Sequence, residues 1–221
     1  MNAVLADWKT ADVSLKIYAA LRLLERLTLD PMSINQAFID ELRQAGLDDH
    51  GMREVGNVSF HFNFMNRLAD SFDFETLNER AQAVETKMLN RSGRFQKGAQ
   101  ADPVWIVDED GHIRPTELAR ARVPLLTTPG KTTSELRQAA EAFTAVQRGQ
   151  SRPKHDSLPK GLERYLKKVA LYAYKIVDRQ VEALKKEGYT DEMIYEITIA
   201  GAYGAALVGV ERLFEVLYGE K

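Results

Sequence analysis

No cysteine occurs among the 221 residues. Disulfides, thiolate metal sites and redox or nucleophilic chemistry carried by a thiol of this chain are therefore excluded. Histidine is scarce, with four in all. No two histidines, and no histidine with carboxylates, stand at ligand spacing on a helix, so neither a metal site nor a cofactor is expected. A charge excess is missing as well: 30 Lys and Arg against 32 Asp and Glu leave a net charge of −2. That balance gives no general attraction to nucleic acid or acidic membranes. There is no run of about 20 purely apolar residues of the kind that spans a bilayer. The opening MNAVLADWKTADVSLK has neither the basic start nor the apolar core of a signal peptide. The expectation is a cytoplasmic protein with no nucleic-acid or membrane partner.

What is present is an ordinary globular composition, 44% hydrophobic and 28% charged, and a repeat. Gly46 to Phe72 reads GLDDHGMREVGNVSFHFNFMNRLADSF, and Gly188 to Phe214 reads GYTDEMIYEITIAGAYGAALVGVERLF. The offset is constant, since 188 − 46 and 196 − 54 both give 142. In that register Leu42/Leu184, Gly46/Gly188, Asp49/Asp191, Glu54/Glu196 and Phe72/Phe214 are identical. Two copies are too few for a solenoid and fit a pseudo-symmetric pair of helical units on one core. The organisation expected is one domain over residues 1–221, with repeat one at about 15–91, a connecting segment at about 92–159 and repeat two at about 160–218.

The periodicity is helical almost throughout. Val13 to Leu27 places Val13, Ile17, Ala20, Leu21, Leu24 and Leu27 on one face, and Asp30-Pro31 breaks it. Ser33 can cap a second helix with Ile34, Ala37, Phe38 and Leu42 inward, ending at Gly46. Asp48 or Asp49 starts the signature helix, which runs to about Asp70. Phe74 to Asn90 reads as a more polar helix with Leu77, Ala81, Val84 and Met88 buried. Arg91 to Asp102 is a polar loop. Val104 to Val107, followed by Asp110-Gly111, reads equally as a short hairpin or as an extended loop burying Trp105. Leu125 to Gly130 is a loop, and Thr132 with Glu135 makes a capping box for a helix ending near Gln147. Arg148 to Pro159 is a linker. Leu162 to Lys186 reads as one long helix, and Thr190 or Asp191 caps a last helix that is apolar nearly all round. The fold class expected is all-α.

The turn LRQAGLDD (Leu42 to Asp49), FNFMNRLAD (Phe62 to Asp70), the LTTPG loop and the segment from Ala173 through Leu213 resemble the AhpD-like superfamily, which includes the carboxymuconolactone decarboxylase family. The resemblance runs from roughly Leu15 to Leu217. It implies an AhpD-like helical bundle built from two repeats, usually oligomeric, in which several members are peroxidases or reductants using a Cys-x-x-Cys…His helix. The places of that motif hold Pro31, Ile34 and Phe38 in the first half, and Ala173, Ile176 and Gln180 in the second. Thiol peroxidase activity does not carry over.

Several side chains admit both a functional and a structural reading. Glu54 and Glu196 share a place early in the signature helices. Either would serve as a general base if burial raised its pKa, or simply favours the helix dipole and pairs with an arginine. His61 lies seven residues after Glu54 on the same face and is either a proton donor or acceptor near neutral pH or a core histidine bonded to a carbonyl. Asn63, Asn66, Arg67 and Asp70 share one stripe. Arg67 would clamp a carboxylate ligand, or pair with Asp70 or an acid of the other half. The second copy puts Ala205, Val208, Gly209 and Arg212 there and sets Tyr203 opposite His61. Gly201, Gly204, Ala205 and Gly209 point to close helix contact.

The functional expectation is an AhpD-like, peroxidase-related protein whose chemistry is independent of cysteine. Glu54 and His61 are its candidate catalytic residues, and Arg67, Asn63 and Asn66 its candidate contacts to a small carboxylated molecule. The alternative is a non-catalytic, homo-oligomeric helical protein that binds a small molecule or a protein partner. A solvent-open pocket joining Glu54, His61 and Arg67 marks the enzyme; the same groups fully paired mark the scaffold.

Overall fold

Helices begin where a side chain can accept the backbone N–H groups that the first turn leaves unpaired. Ser14 opens α2 (Leu15–Leu29), following a short α1 (Asn2–Asp7). A 3-10 turn (Pro31–Ser33) leads to α3 (Gln36–Gln44), capped by Asn35, whose side chain accepts from Phe38 N at 3.0 Å. Asp48 accepts from Gly51 N at 2.8 Å and starts α4 (Asp49–Ser71). After a hairpin of β1 (Trp105–Val107) and β2 (Ile113–Pro115) come α5 (Arg122–Thr127), α6 (Ser134–Gln147) and α7 (Lys160–Leu171). A second 3-10 turn (Ala173–Lys175), α8 (Asp178–Lys186) and α9 (Asp191–Tyr218) complete the chain. The computed structural model describes residues 2–75, 81, 84, 87, 88, 105–107, 113–115, 122–151 and 158–219, and their regular elements are helical apart from the hairpin. The protein is all-α.

Local structure recurs at the sequence offset. α3 and α8 begin 142 residues apart (178 − 36), as do α4 and α9 (191 − 49) and the two 3-10 turns (173 − 31). The helix-stopping residues Asp30 and Tyr172 have φ of −147° and −149°. Gly46 and Gly188 both take positive φ, 87° and 97°, the left-handed turn that glycine adopts without strain.

The core has two clusters joined by α9. One gathers Leu23, Leu27, Ile34, Ile39, Leu42, Met52 and Phe60 with Leu207, Leu213 and Phe214 from the C-terminal half of α9. The other gathers Leu162, Tyr165, Leu166, Val169 and Leu184 with Ile194 and Ile197 from its N-terminal half. Apolar nearly all round, α9 is long and apolar enough to cross a bilayer by length and composition, yet 78% of its most apolar stretch is buried inside the fold. Small residues let it lie close to its neighbours: a methyl group on Gly204 would overlap the Glu141 carbonyl on α6.

Several sequence expectations are corrected. Leu162 to Lys186 is not one helix; it stops at Tyr172 and restarts at Asp178. The freed carbonyls find side-chain donors: Lys168 Nζ gives to Lys175 O at 2.7 Å, and Arg67 of α4 gives to Ala170 O. Asn35 rather than Ser33 caps α3, and Ser33 instead bonds back to Asp30 O. Thr133 rather than Thr132 caps α6 because Thr132 is committed to Glu196. Leu125 to Thr127 is helical, not loop. On α2 the buried face is Ala19, Leu23 and Leu27, with Ile17 exposed, and on α3 Ile39 takes the buried place expected of Ala37. Most of the Phe74 to Asn90 helix lies outside the described residues, as does 152–157 of the linker; Ala81, Val84, Lys87 and Met88 are helical, but Val84 and Met88 are exposed.

Candidate functional site

Glu54, His61, Asn63, Asn66 and Arg67 all lie on α4, and the fold does not gather them around one cavity. Glu54 and Asn66 are exposed, and neither side chain bonds to a described residue. His61 donates from Nδ1 to the Asn57 carbonyl at 2.8 Å and sits edge-on to Phe60. Asn63 donates from Nδ2 to Ser59 O at 2.9 Å and to Thr28 Oγ1 at 3.2 Å, so it ties α4 to α2. Arg67 is joined to Asn63: its Nη1 gives to Asn63 Oδ1 at 2.8 Å and to Asn63 O at 2.7 Å. Its Nε and Nη2 give to Ala170 O at 3.3 and 3.2 Å.

That last contact has a counterpart. Ala170 corresponds to Thr28 (170 − 142 = 28), and the Thr28 carbonyl accepts from Arg148 Nη2 at 2.6 Å. Each helix that breaks before a 3-10 turn thus has a freed carbonyl held by an arginine from elsewhere in the fold. Burial, then repulsion by Arg148, pulls the Arg67 guanidinium down to about 10 against the attraction of Asp70. It stays charged at neutral pH.

Glu196, the counterpart of Glu54, is built into the fold quite differently. Its carboxylate accepts from Lys131 N and Thr132 N, both at 2.8 Å, from Thr132 Oγ1 at 2.5 Å and from Arg137 Nη1 at 3.3 Å. Arg137 is buried and also donates to the Thr128 and Thr132 carbonyls. Burial pushes the Glu196 carboxyl up, but the Thr132 hydroxyl, the two amides and Arg137 outweigh it and hold the group below 4.5. A carboxylate so held is ionised and a weak base at neutral pH. Its role is to fasten the loop before α6 to α9.

The feature that sequence reasoning missed is a cleft of about 1270 Å³ between α8, the N-terminal part of α9 and the end of α4. Its floor is apolar, formed by Ile176, Val177, Val181 and Ile194 with the rings of Phe72, Tyr165 and Tyr195. Phe72 and Tyr195 stack at 5.2 Å. Tyr165 is bonded to Thr198 Oγ1 at 2.8 Å, and burial pushes its phenol up against that hydrogen bond.

Seven carboxylates, two lysines and Ser71 complete the lining. Lys185 is shared between Asp191 at 2.9 Å and Glu182 at 3.3 Å, and Glu196 is committed as above. Asp70, Asp73, Asp178 and Glu192 make no ion pair with a described residue. The Thr190 hydroxyl leads the groups that hold the Glu192 carboxyl below its ordinary value. An apolar floor under unpaired carboxylates focuses a negative field and favours a cation that carries apolar surface.

No family model, curated protein or solved structure matches this chain. The chemistry of the cleft therefore carries the functional reading. One sequence signal for it existed: Asp178 and Glu192 are acidic where the first copy has Gln36 and His50.

Proposed function

We propose that this protein is a non-catalytic binding module on an AhpD-like scaffold of two fused helical units, and that the α8–α9 cleft is its ligand site. The observation that carries this reading is the cleft itself, with an aromatic and aliphatic floor beneath seven carboxylates, of which Asp70, Asp73, Asp178 and Glu192 make no ion pair with a described residue. The residues expected to do acid–base chemistry support it from the other side: Glu54 stands in solvent, and His61 is spent on a backbone carbonyl. The recurrence of helix bounds at a constant offset, with matching stop residues and glycine turns, supports the two-unit scaffold. Self-association belongs to the same reading: Val58, Phe62 and Met65 form an exposed stripe on α4. Their counterparts Ala200, Gly204 and Leu207 are buried on α9, and we assign the stripe to a second copy of the chain.

A second reading keeps Arg67 as a clamp for a small carboxylate, with Glu54 and His61 as proton carriers. It is favoured by one observation, that Arg67 and Arg148 are neighbouring, desolvated cations without a carboxylate at ion-pair distance among the described residues. Thermal shift of the full chain separates the two. Tryptamine, spermine and aromatic amines are set beside aromatic acids and lactones. A ligand at 100 times its Kd adds about 2.7 kcal/mol of stability. Amines raising Tm, with the rise lost in Val181→Lys, is the expected result. Acids alone raising Tm, with the rise lost in Arg67→Ala, would overturn the cleft reading in favour of the clamp.

A further inference from the structure

We infer that the α8–α9 cleft receives a short basic amphipathic helix from a partner protein. The inference rests on the cleft being the binding site and adds what fills it. The reason lies in the other half of the molecule, where the corresponding surface is already filled by a helix. Ile176, Val181, Lys185 and Tyr195 of the cleft correspond to Ile34, Ile39, Arg43 and Arg53. There the last turns of α9 lie across the surface. Leu213 and Phe214 are buried in one cluster with Ile34 and Ile39, and Val216, Leu217 and Tyr218 pack against it. Arg212 Nε donates to the Ile34 carbonyl at 3.0 Å. Tyr218 is close enough to Arg53, Asp49 and Arg43 for their charges to act on its hydroxyl.

In the second half this cover is shorter among the described residues. The helix in the corresponding register is α4, which stops at Ser71, whereas α9 continues to Tyr218, the counterpart of residue 76 (218 − 142). The residues at the end of α4 also lack the side chains that would seal the surface, since Asp70 stands for Arg212, Ser71 for Leu213 and Glu75 for Leu217. Phe72 and Phe74 keep the apolar character of Phe214 and Val216, and Phe72 lies on Tyr195. Burial follows the difference. Ile34 and Ile39 are each 0% exposed, whereas their counterparts Ile176 and Val181 are only partly buried. No described side chain donates to the Ile176 carbonyl, the counterpart of the one that Arg212 holds.

The occupant's chemistry follows. It brings apolar or aromatic residues to Val177, Val181 and Tyr195, beyond the place that Phe72 already takes, and an arginine for the Ile176 carbonyl. Toward the rim it carries Lys or Arg rather than acids, because Asp178 and Glu192 stand where the first half has Gln36 and His50. Helix-in-groove docking of this kind takes affinity from the apolar face and specificity from the rim. An anionic lipid surface is repelled by the same carboxylates.

The test uses the full-length protein and a fluorescein-labelled peptide of residues 208–219 carrying Glu211→Lys and Glu215→Lys, read by fluorescence anisotropy. The expected result is saturable binding that weakens at least tenfold in Val181→Lys, in the surface pair Asp178→Asn with Glu192→Gln, and in a peptide lacking the arginine. Circular dichroism checks that the variants fold. Binding that none of these changes weakens would place the peptide elsewhere and overturn the inference. No peptide binding, with tryptamine or spermine still stabilising the wild type and not Val181→Lys, would overturn the partner helix and leave the cleft as a small-molecule site. Failure of peptide and amines alike would overturn both.

Discussion

Glu196 and Glu54 are the same residue at the same place in a recurring sequence, and only their surroundings decide what each does. Glu196 holds four hydrogen bonds that join α9 to the loop before α6, while Glu54 stands in solvent. Because the Glu196 carboxyl is held below 4.5 in the fold, its contribution is fully present above the unfolded value near 4.5. It is lost as pH falls through the lower folded value. Glu196→Gln keeps the shape but removes the charge, and is expected to cost about 1–3 kcal/mol at neutral pH. It also flattens the fall in stability below about pH 4.5. Urea unfolding of both proteins from pH 7 to pH 3 checks this; parallel curves would remove Glu196 from the acid response. Arg67→Met leaves the Ala170 carbonyl and Asn63 short of donors and should cost about 1–3 kcal/mol. A stability change within error would show that water replaces the guanidinium freely.

Among the elements, those with a local cause were legible and those with a tertiary cause were not. Asp48 and Thr190 cap α4 and α9 as their side chains allow, and Gly46 and Gly188 stop the helices before them. Gly188→Ala should cost about 1 kcal/mol, since a methyl there meets nothing within 4 Å and only backbone strain acts. Gly204→Ala is a different case. Its methyl would meet the Glu141 carbonyl, and forcing α9 away from α6 should cost about 1–3 kcal/mol. Thermal melts of the two variants separate strain from crowding; equal losses would contradict the close approach. The break at Tyr172 was illegible because its sequence, YLKKVALYAYKIVDRQ, contains no proline or glycine. The donors that stabilise it come partly from Arg67, about a hundred residues away. Thr132 failed as a cap for the same kind of reason: its hydroxyl donates to Glu196 and accepts from Arg137 Nη1.

At the scale of the molecule, α9 is the spine: its first half completes one cluster and its second half the other. The all-α class and the offset of 142 (188 − 46) were in the sequence pattern, but the cleft was not. A cleft marks what fails to cover a surface, here the early stop of α4 at Ser71, and no motif signals a missing cover. The exposed α4 stripe gives a prediction at this scale. Phe62→Glu with Met65→Glu should shift the protein to a smaller species in light scattering coupled to size exclusion, and an unchanged mass would remove that stripe from any assembly. Whether a basic helix fills the α8–α9 cleft is tested most sharply by methyl NMR of Ile- and Val-labelled full-length protein titrated with the charge-reversed 208–219 peptide. The methyls of Ile176, Val177, Val181 and Ile194 are expected to shift together while those of Ile34 and Ile39 hold still. Shifts confined to the first half, or none anywhere, would contradict a helix-binding cleft.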